Sequence, residues 1–213
     1  MPPTETKPGR DCPRCPRLAA FRDEWRAKKP DWFNAPVPSF GPVDARVLVV
    51  GLAPGLQGAN RTGRPFTGDY AGVLLYDTLL EFGFAEGQFE ARPDDSLKLI
   101  DCRVTNAVRC VPPENKPTTA EIATCRDFLV PTITEMPNLR VMVALGAIAH
   151  YSVVTAFGAK KSKTPFTHGG RHKLGELALI SSYHCSRYNT NTGVLTPLMF
   201  RDVFASVRAY LDA

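Results

Sequence analysis

Hydrophobic positions along the chain follow two alternating patterns. Residues 46–50, 97–105, 139–145 and 177–182 are short, nearly continuous apolar runs rich in β-branched side chains, as expected of strands buried on both faces. Between and after them, apolar residues recur at helical spacing over 72–84, 118–136, 147–157 and 197–211. The last segment carries Phe200, Val203, Phe204, Val207, Tyr210 and Leu211 as one stripe, which reads as core contact. Thr118 with Glu121 forms a capping-box signature, Thr196 with Pro197 an N-cap followed by proline, and Pro131 is expected to kink or end its helix. Strands and helices in alternation predict an α/β fold: a three-layer α/β/α arrangement with a mainly parallel four-stranded central sheet. Ligands of such folds bind beyond the carboxyl ends of the strands. Three unusual polar segments fall there, at 51–72, 106–117 and 184–193.

Upstream of the first strand, residues 1–43 read as a polar tail, a short helix (Pro16–Lys28) and a proline-rich connector, within a single domain spanning 1–213. The first ten residues lack a hydrophobic signal region and the apolar runs are too short to span a bilayer, so a cytoplasmic protein is expected. The 26 Lys plus Arg against 21 Asp plus Glu leave a charge of +5, which is compatible with an anionic partner without requiring one. Its distribution says more. Lys160, Lys161, Lys163, Arg171 and Lys173 share one acid-free segment, which reads either as an anion-binding face or as a solvated loop.

Six cysteines in a chain expected to be intracellular direct attention to thiolate chemistry rather than disulfides. Cys12 and Cys15 form a close pair; Cys110 and Cys125 are dispersed. One close pair plus two separate thiols suits iron-sulfur ligation as well as zinc, and spacing alone leaves the two level. Cys102, inside an apolar run, and Cys185, after a histidine, read as packing or site-lining residues.

The segment 51–72 contains Gly51, Gly55, Gly58, Gly63, Gly68 and Gly72 with Asn60, Arg61 and Arg64. It matches neither the phosphate-loop pattern nor the dinucleotide fingerprint, which disfavours an NTPase or a Rossmann oxidoreductase. Within it Phe66 is an aromatic among polar neighbours, whose plain reading is a loop anchor in the core, and Asp69 an acid close to a helix start, whose plain reading is a helix N-cap. His184 closes the fourth apolar run and opens a polar loop, a position where a functional histidine and a structural one are both expected.

Taken in order, Gly51-Leu-Ala-Pro-Gly55, the run from Asn60 to Asp69, Thr105-Asn-Ala-Val-Arg-Cys110 followed by two prolines, and the loop from His184 to Gly193 resemble the family 5 uracil-DNA glycosylases from Cys12 to the carboxyl end. The resemblance implies the uracil-DNA glycosylase fold and a 4Fe-4S cluster on Cys12, Cys15, Cys110 and Cys125. It also implies a monofunctional hydrolase acting on the N-glycosidic bond of uracil in DNA, as a monomer, in base excision repair. Such an enzyme must extrude the base, stack it, read its edge and stabilise charge as the bond breaks. The matched positions are Gly51 and Ala53 against the base, Phe66 for stacking, Asn106 for edge reading, and His184 as donor to the departing base. Arg61, Arg64, Ser186, Arg187, Tyr188 and Asn189 fall at DNA-facing positions, with Arg187 and Tyr188 in the segment that fills the vacated stack.

Ala53 stands where related glycosylase families place an acid or an asparagine. Asp69 matches the acid that compensates, and the roomier pocket is linked to hypoxanthine and other deaminated bases. Cys185 departs from the usual proline after the histidine, which bears on the stiffness of that loop. An alternative function is a non-catalytic iron-sulfur binder of damaged or single-stranded DNA, favoured by Ala53 and opposed by Asp69, Asn106 and His184. A relative that bonds covalently to the abasic sugar ranks last, since its basic insertion is not evident.

Overall fold

A computed structural model describes residues 6–213; the first half of the polar tail, 1–5, lies outside the described residues. Helix α1 (Pro16–Lys28) precedes strand β1 (Val47–Gly51), whose five residues are all buried. Val47 and Val49 enter the core on one side of the sheet, and Leu48 and Val50 the core on the other. After β1 come a short helix α2 (Ala59–Thr62), helix α3 (Tyr70–Glu81), a two-stranded ribbon of β2 (Ala85–Glu86) and β3 (Lys98–Leu99), and β4 (Cys102–Asn106). Helix α4 (Thr119–Thr134), β5 (Val141–Leu145), α5 (Ala147–Ala156), β6 (Arg171–Leu174), β7 (Leu177–Ser182), α6 (Arg187–Asn191) and α7 (Pro197–Asp212) complete the chain. Leu75 and Leu79 of α3 and Phe200, Phe204 and Val207 of α7 cover one sheet face; Leu129 and Ile133 of α4 and Ala149 and Val153 of α5 cover the other. Among the described residues no helix is long and apolar enough to cross a membrane.

The sheet has five strands rather than the expected four, in the order β4-β1-β5-β7-β6. Strands β4, β1, β5 and β7 are parallel, and β6 returns antiparallel along β7. The added strand comes from the basic segment read as a loop. Arg171, His172 and Lys173 leave only Leu174 buried, so hydropathy carries no strand signal there. Charged side chains suit an edge that should not pair with another chain. The run 97–105 is also two strands rather than one. Asp101 takes a left-handed conformation (φ 53°) between them, where its carboxylate accepts from the Arg46 backbone N–H (2.8 Å) and Nε (2.7 Å). Pro131 sits inside α4, which ends three residues later at Thr134.

β1 pairs with β4 on one side and β5 on the other, so the chain reverses direction of winding at β1. That reversal opens a crevice beyond the carboxyl ends of these strands. Gly51 and Asn106 face each other across it as the last pair of the β1–β4 ladder.

Candidate active site

A cavity of about 570 Å³ occupies the crevice, lined by residues of all three expected segments: Ala53, Phe66, Asp69, Asn106, His184 and Arg187 among them. A pocket of this size holds a small organic ligand. Its shape depends on glycines where backbone, ring and carboxylate crowd together. A Cβ on Gly51 would strike the Asn106 Oδ1 and lie 2.5 Å from the Phe66 ring. One on Gly58 would strike the Asp69 carboxylate, and one on Gly72 the Phe66 carbonyl. Phe66 itself adopts φ 51°, a conformation that costs about 1–3 kcal/mol outside glycine and persists only where its surroundings enforce it.

The enforcement is visible. Arg64, two residues earlier, is buried and forms a two-pronged ion pair with Asp95, both bonds 2.7 Å, while its guanidinium lies over the rings of Phe40, Tyr76 and Phe89. Arg64 Nε also donates to Thr67 Oγ1 (2.8 Å), and the Tyr76 hydroxyl to the Pro65 carbonyl (2.6 Å). These clasps pin both sides of Phe66. They also correct the expected DNA-facing role of Arg64: an inward guanidinium engaged by Asp95 is not free to meet a phosphate. The clasp pulls Asp95 down to about 2 despite its loss of solvent, through Arg64 and the backbone N–H groups of Glu90 and Leu97.

Asp69 satisfies both readings of its position at once. It N-caps α3, accepting from the Gly72 N–H at 3.3 Å, and it also lines the cavity. Desolvation raises its carboxyl above the ordinary value, against the opposing pull of the Gly72 and Ala71 N–H groups. Asn106 is buried, and its Oδ1 has no hydrogen-bond partner among the described residues. A buried acceptor left unpaired is costly, and it marks a group available to a ligand. His184 stacks near Phe66, ring centres 6.0 Å apart and planes at 27°. Burial lowers its imidazole to about 4, so near neutral pH the ring is uncharged and presents one N–H donor.

The loop after His184 folds into α6, where a polar loop was expected. Ser186 caps it, accepting from the Asn189 N–H (3.4 Å), while Asn189 Nδ2 reaches back to the His184 carbonyl (2.8 Å). Cys185 is fully buried, its Sγ 3.5 Å from the Ala71 carbonyl of α3. The loop is thus anchored by a buried side chain in place of a proline ring. Arg187 lies over the Tyr70 ring at 5.2 Å, and Tyr188 stands 74% exposed beyond it. Arg61 is exposed at the rim. Gln57, Tyr70 and Asn115 also line the cavity without having been singled out; the one signal for Tyr70 was an aromatic directly after a helix-capping acid.

Of the cysteines, Cys102 is buried in β4. Cys12, Cys15, Cys110 and Cys125 gather with Leu18, Val108 and Phe128 in a separate cluster, and none is in a disulfide. Burial pushes Cys110 up to about 12 and Cys125 up to about 11, with neighbouring thiols adding to it. The Arg109 backbone N–H donates to Cys125 Sγ at 3.2 Å. The Arg109 guanidinium is buried and is shared among Val37 O, Ser39 Oγ and Thr132 Oγ1, with no carboxylate among the described residues. Arg22, also buried, donates to the Cys12 carbonyl at 3.0 Å. Among the described residues no three His, Cys, Asp or Glu side chains are grouped to hold a single metal ion.

The profile of the uracil DNA glycosylase superfamily matches residues 38–208. A type-5 uracil-DNA glycosylase of Thermus thermophilus is 46% identical over 204 residues, 92% of each chain. One of Pyrobaculum aerophilum is 37% identical over 207 residues, 95% of this chain and 89% of its own. A type-4 uracil-DNA glycosylase of Thermotoga maritima is 37% identical over 147 residues, covering 68% of this chain and 67% of its own.

Proposed function

This chain belongs to the uracil DNA glycosylase superfamily, and from that premise we infer that it excises uracil from DNA, hydrolysing the N-glycosidic bond and leaving an abasic site for base excision repair. The observation that carries the reading is the convergence of Phe66, Asp69, Asn106 and His184 on one cavity at the switch point of the sheet. The extruded base stacks on Phe66 and offers its edge to Asn106, whose amide can donate to a carbonyl and accept from a ring N–H. As the bond breaks, negative charge grows on the base. The neutral His184 keeps one ring N–H to donate to it, and a preorganised donor at developing charge is usually the largest single contribution in a site of this kind. Asp69, as carboxylate, faces the sugar, where it orients water or offsets the positive charge of the oxocarbenium-like ring. Ala53 offers only a methyl group, so no second acid shares that task. The cavity of about 570 Å³ leaves room for a bicyclic base, which supports hypoxanthine as a second substrate. Arg61, Ser186, Arg187, Tyr188 and Asn189 form the DNA-contacting rim, with Tyr188 exposed to fill the vacated stack. The enzyme works as a monomer in the cytosol, where its substrate is.

Alkali treatment of labelled duplexes after incubation tests this directly. Strand breaks at uracil and at hypoxanthine are expected only after incubation with the protein; an intact uracil strand would overturn the activity.

The four clustered thiols are those that would hold a 4Fe-4S cluster. The buried Arg109, lacking a carboxylate beside them, fits a group of net negative charge, and four thiols spread around a polynuclear centre need not converge on a point. Such a cluster supplies structural cross-linking of the amino-terminal segment to α4 and no step of the hydrolysis. Cys125→Ser is therefore expected to lower bound iron and sulfide together and to lower the thermal midpoint. Single-turnover rate per folded molecule should change far less. Native protein free of iron after anaerobic purification would remove the cluster.

A further inference from the structure

A second concave surface adjoins the cavity and, Arg61 apart, has no part in the mechanism above. It is a groove of about 480 Å³, lined by Arg10, Asp31, Trp32, Phe33, Arg61 and Arg92 among others. Three cations there face one acid. Arg10 and Arg61 are exposed and form no ion pair among the described residues. Arg92 is shared with Glu90 (2.6 Å) and, more loosely, Asp94 (3.9 Å).

The wall of the groove is aromatic and stiff. Trp32 lies flat against Trp25, centroids 5.5 Å apart and planes at 5°, and Phe21 meets Trp25 edge-on at 6.2 Å. Phe33 is packed so tightly on Gly63 that a Cβ there would lie 2.7 Å from its ring. A ring held this way loses little freedom when a ligand stacks on it. The groove also shares an edge with the cavity. Arg61 Nη2 lies 3.0 Å from where a Cβ on Gly68 would be, and Gly68 lines the cavity next to Asp69. A polyanion running out of the cavity over that edge meets Arg61 and enters the groove.

Unpaired cations beside a fixed aromatic ring are the elements of sequence-independent single-strand binding. A ring recessed in a groove reaches a base only once that base has left its stack, which excludes intact duplex as the occupant. Resting on the glycosylase reading, we propose that this groove binds single-stranded DNA continuous with the nucleotide in the cavity, its phosphates on Arg61 and Arg10 and an unstacked base on Trp32.

The test extends a short single-stranded uracil substrate stepwise on either side. In the native protein, extension on one side is expected to lower KM about tenfold, within the range for one stacked base and its phosphate contacts. Trp32→Ala and Arg10→Glu should lose that gain while cleaving the shortest substrate with native kcat. Arg10 is an exposed side chain, so its variant does not put folding at stake. In parallel, uracil-free oligothymidylate should quench the fluorescence of native protein, whose two tryptophans are Trp25 and Trp32. Uracil release with no quenching, or a length gain retained in both variants, would overturn the groove. Quenching without uracil release from any substrate would support the groove and overturn the activity instead.

Discussion

Asp69→Asn is expected to slow single-turnover release of uracil by about two to four orders of magnitude, the span general acid–base catalysis supplies, with affinity for uracil-containing DNA kept within a few fold. Asparagine caps helices as well as aspartate does, so the bond to Gly72 at the start of α3 survives and the fold is preserved. What disappears is the negative charge beside the sugar. The pH profile separates this from a structural loss. Desolvation raises the Asp69 carboxyl in the folded protein, and the active form is the carboxylate. The native rate should therefore fall as pH drops through the raised Asp69 value and the carboxylate is lost. Burial lowers the His184 imidazole to about 4, so the Asp69→Asn variant is what assigns the limb to one group or the other. In Asp69→Asn the limb should vanish along with the rate. A variant at native speed, or one that keeps the same acid limb, would remove Asp69 from the chemistry.

The parts of this molecule that announced themselves in the sequence are those with an unambiguous period. β1 and β5 are short and wholly apolar, β7 is apolar up to its two closing serines, α7 carries an uninterrupted stripe, and α4 begins with a capping box that the structure forms in full. β6 escaped because an edge strand with one buried residue in four has no hydropathic signature. α6 escaped because five polar residues held by Ser186 and by the Asn189 amide read as a loop. The Arg64–Asp95 pair was illegible for another reason. An arginine among glycines looks like a phosphate contact, and nothing local shows that an acid 31 residues later will turn it inward. For Asp69 the sequence posed alternatives that geometry made compatible, since a helix cap can also line a cavity; Cys185, read as packing or site-lining, is fully buried and packs.

Asn106→Ala is expected to divide stability from activity. Among the described residues the buried Asn106 Oδ1 has no partner; it lies beside Gly51, whose missing Cβ leaves it room. Leaving such an acceptor unpaired costs about 1–3 kcal/mol, and a ligand N–H in the cavity offsets it. Removing the amide should therefore leave the urea midpoint unchanged or raise it, since the space vacated opens onto an existing cavity rather than creating a closed one. Activity should move the other way. The base loses the group that reads its edge and steadies its carbonyl as charge develops, and losing one such preorganised contact lowers turnover by about two to three orders of magnitude. Selectivity should relax as well, with uracil and thymine released at more similar, low rates. A core asparagine kept for packing would behave in the opposite way: Asn106→Ala would melt early, and its activity, corrected for the folded fraction, would be native. Equilibrium unfolding and single-turnover kinetics on one preparation distinguish the two, because a group retained for its ligand weakens the empty protein and a group retained for the fold does not.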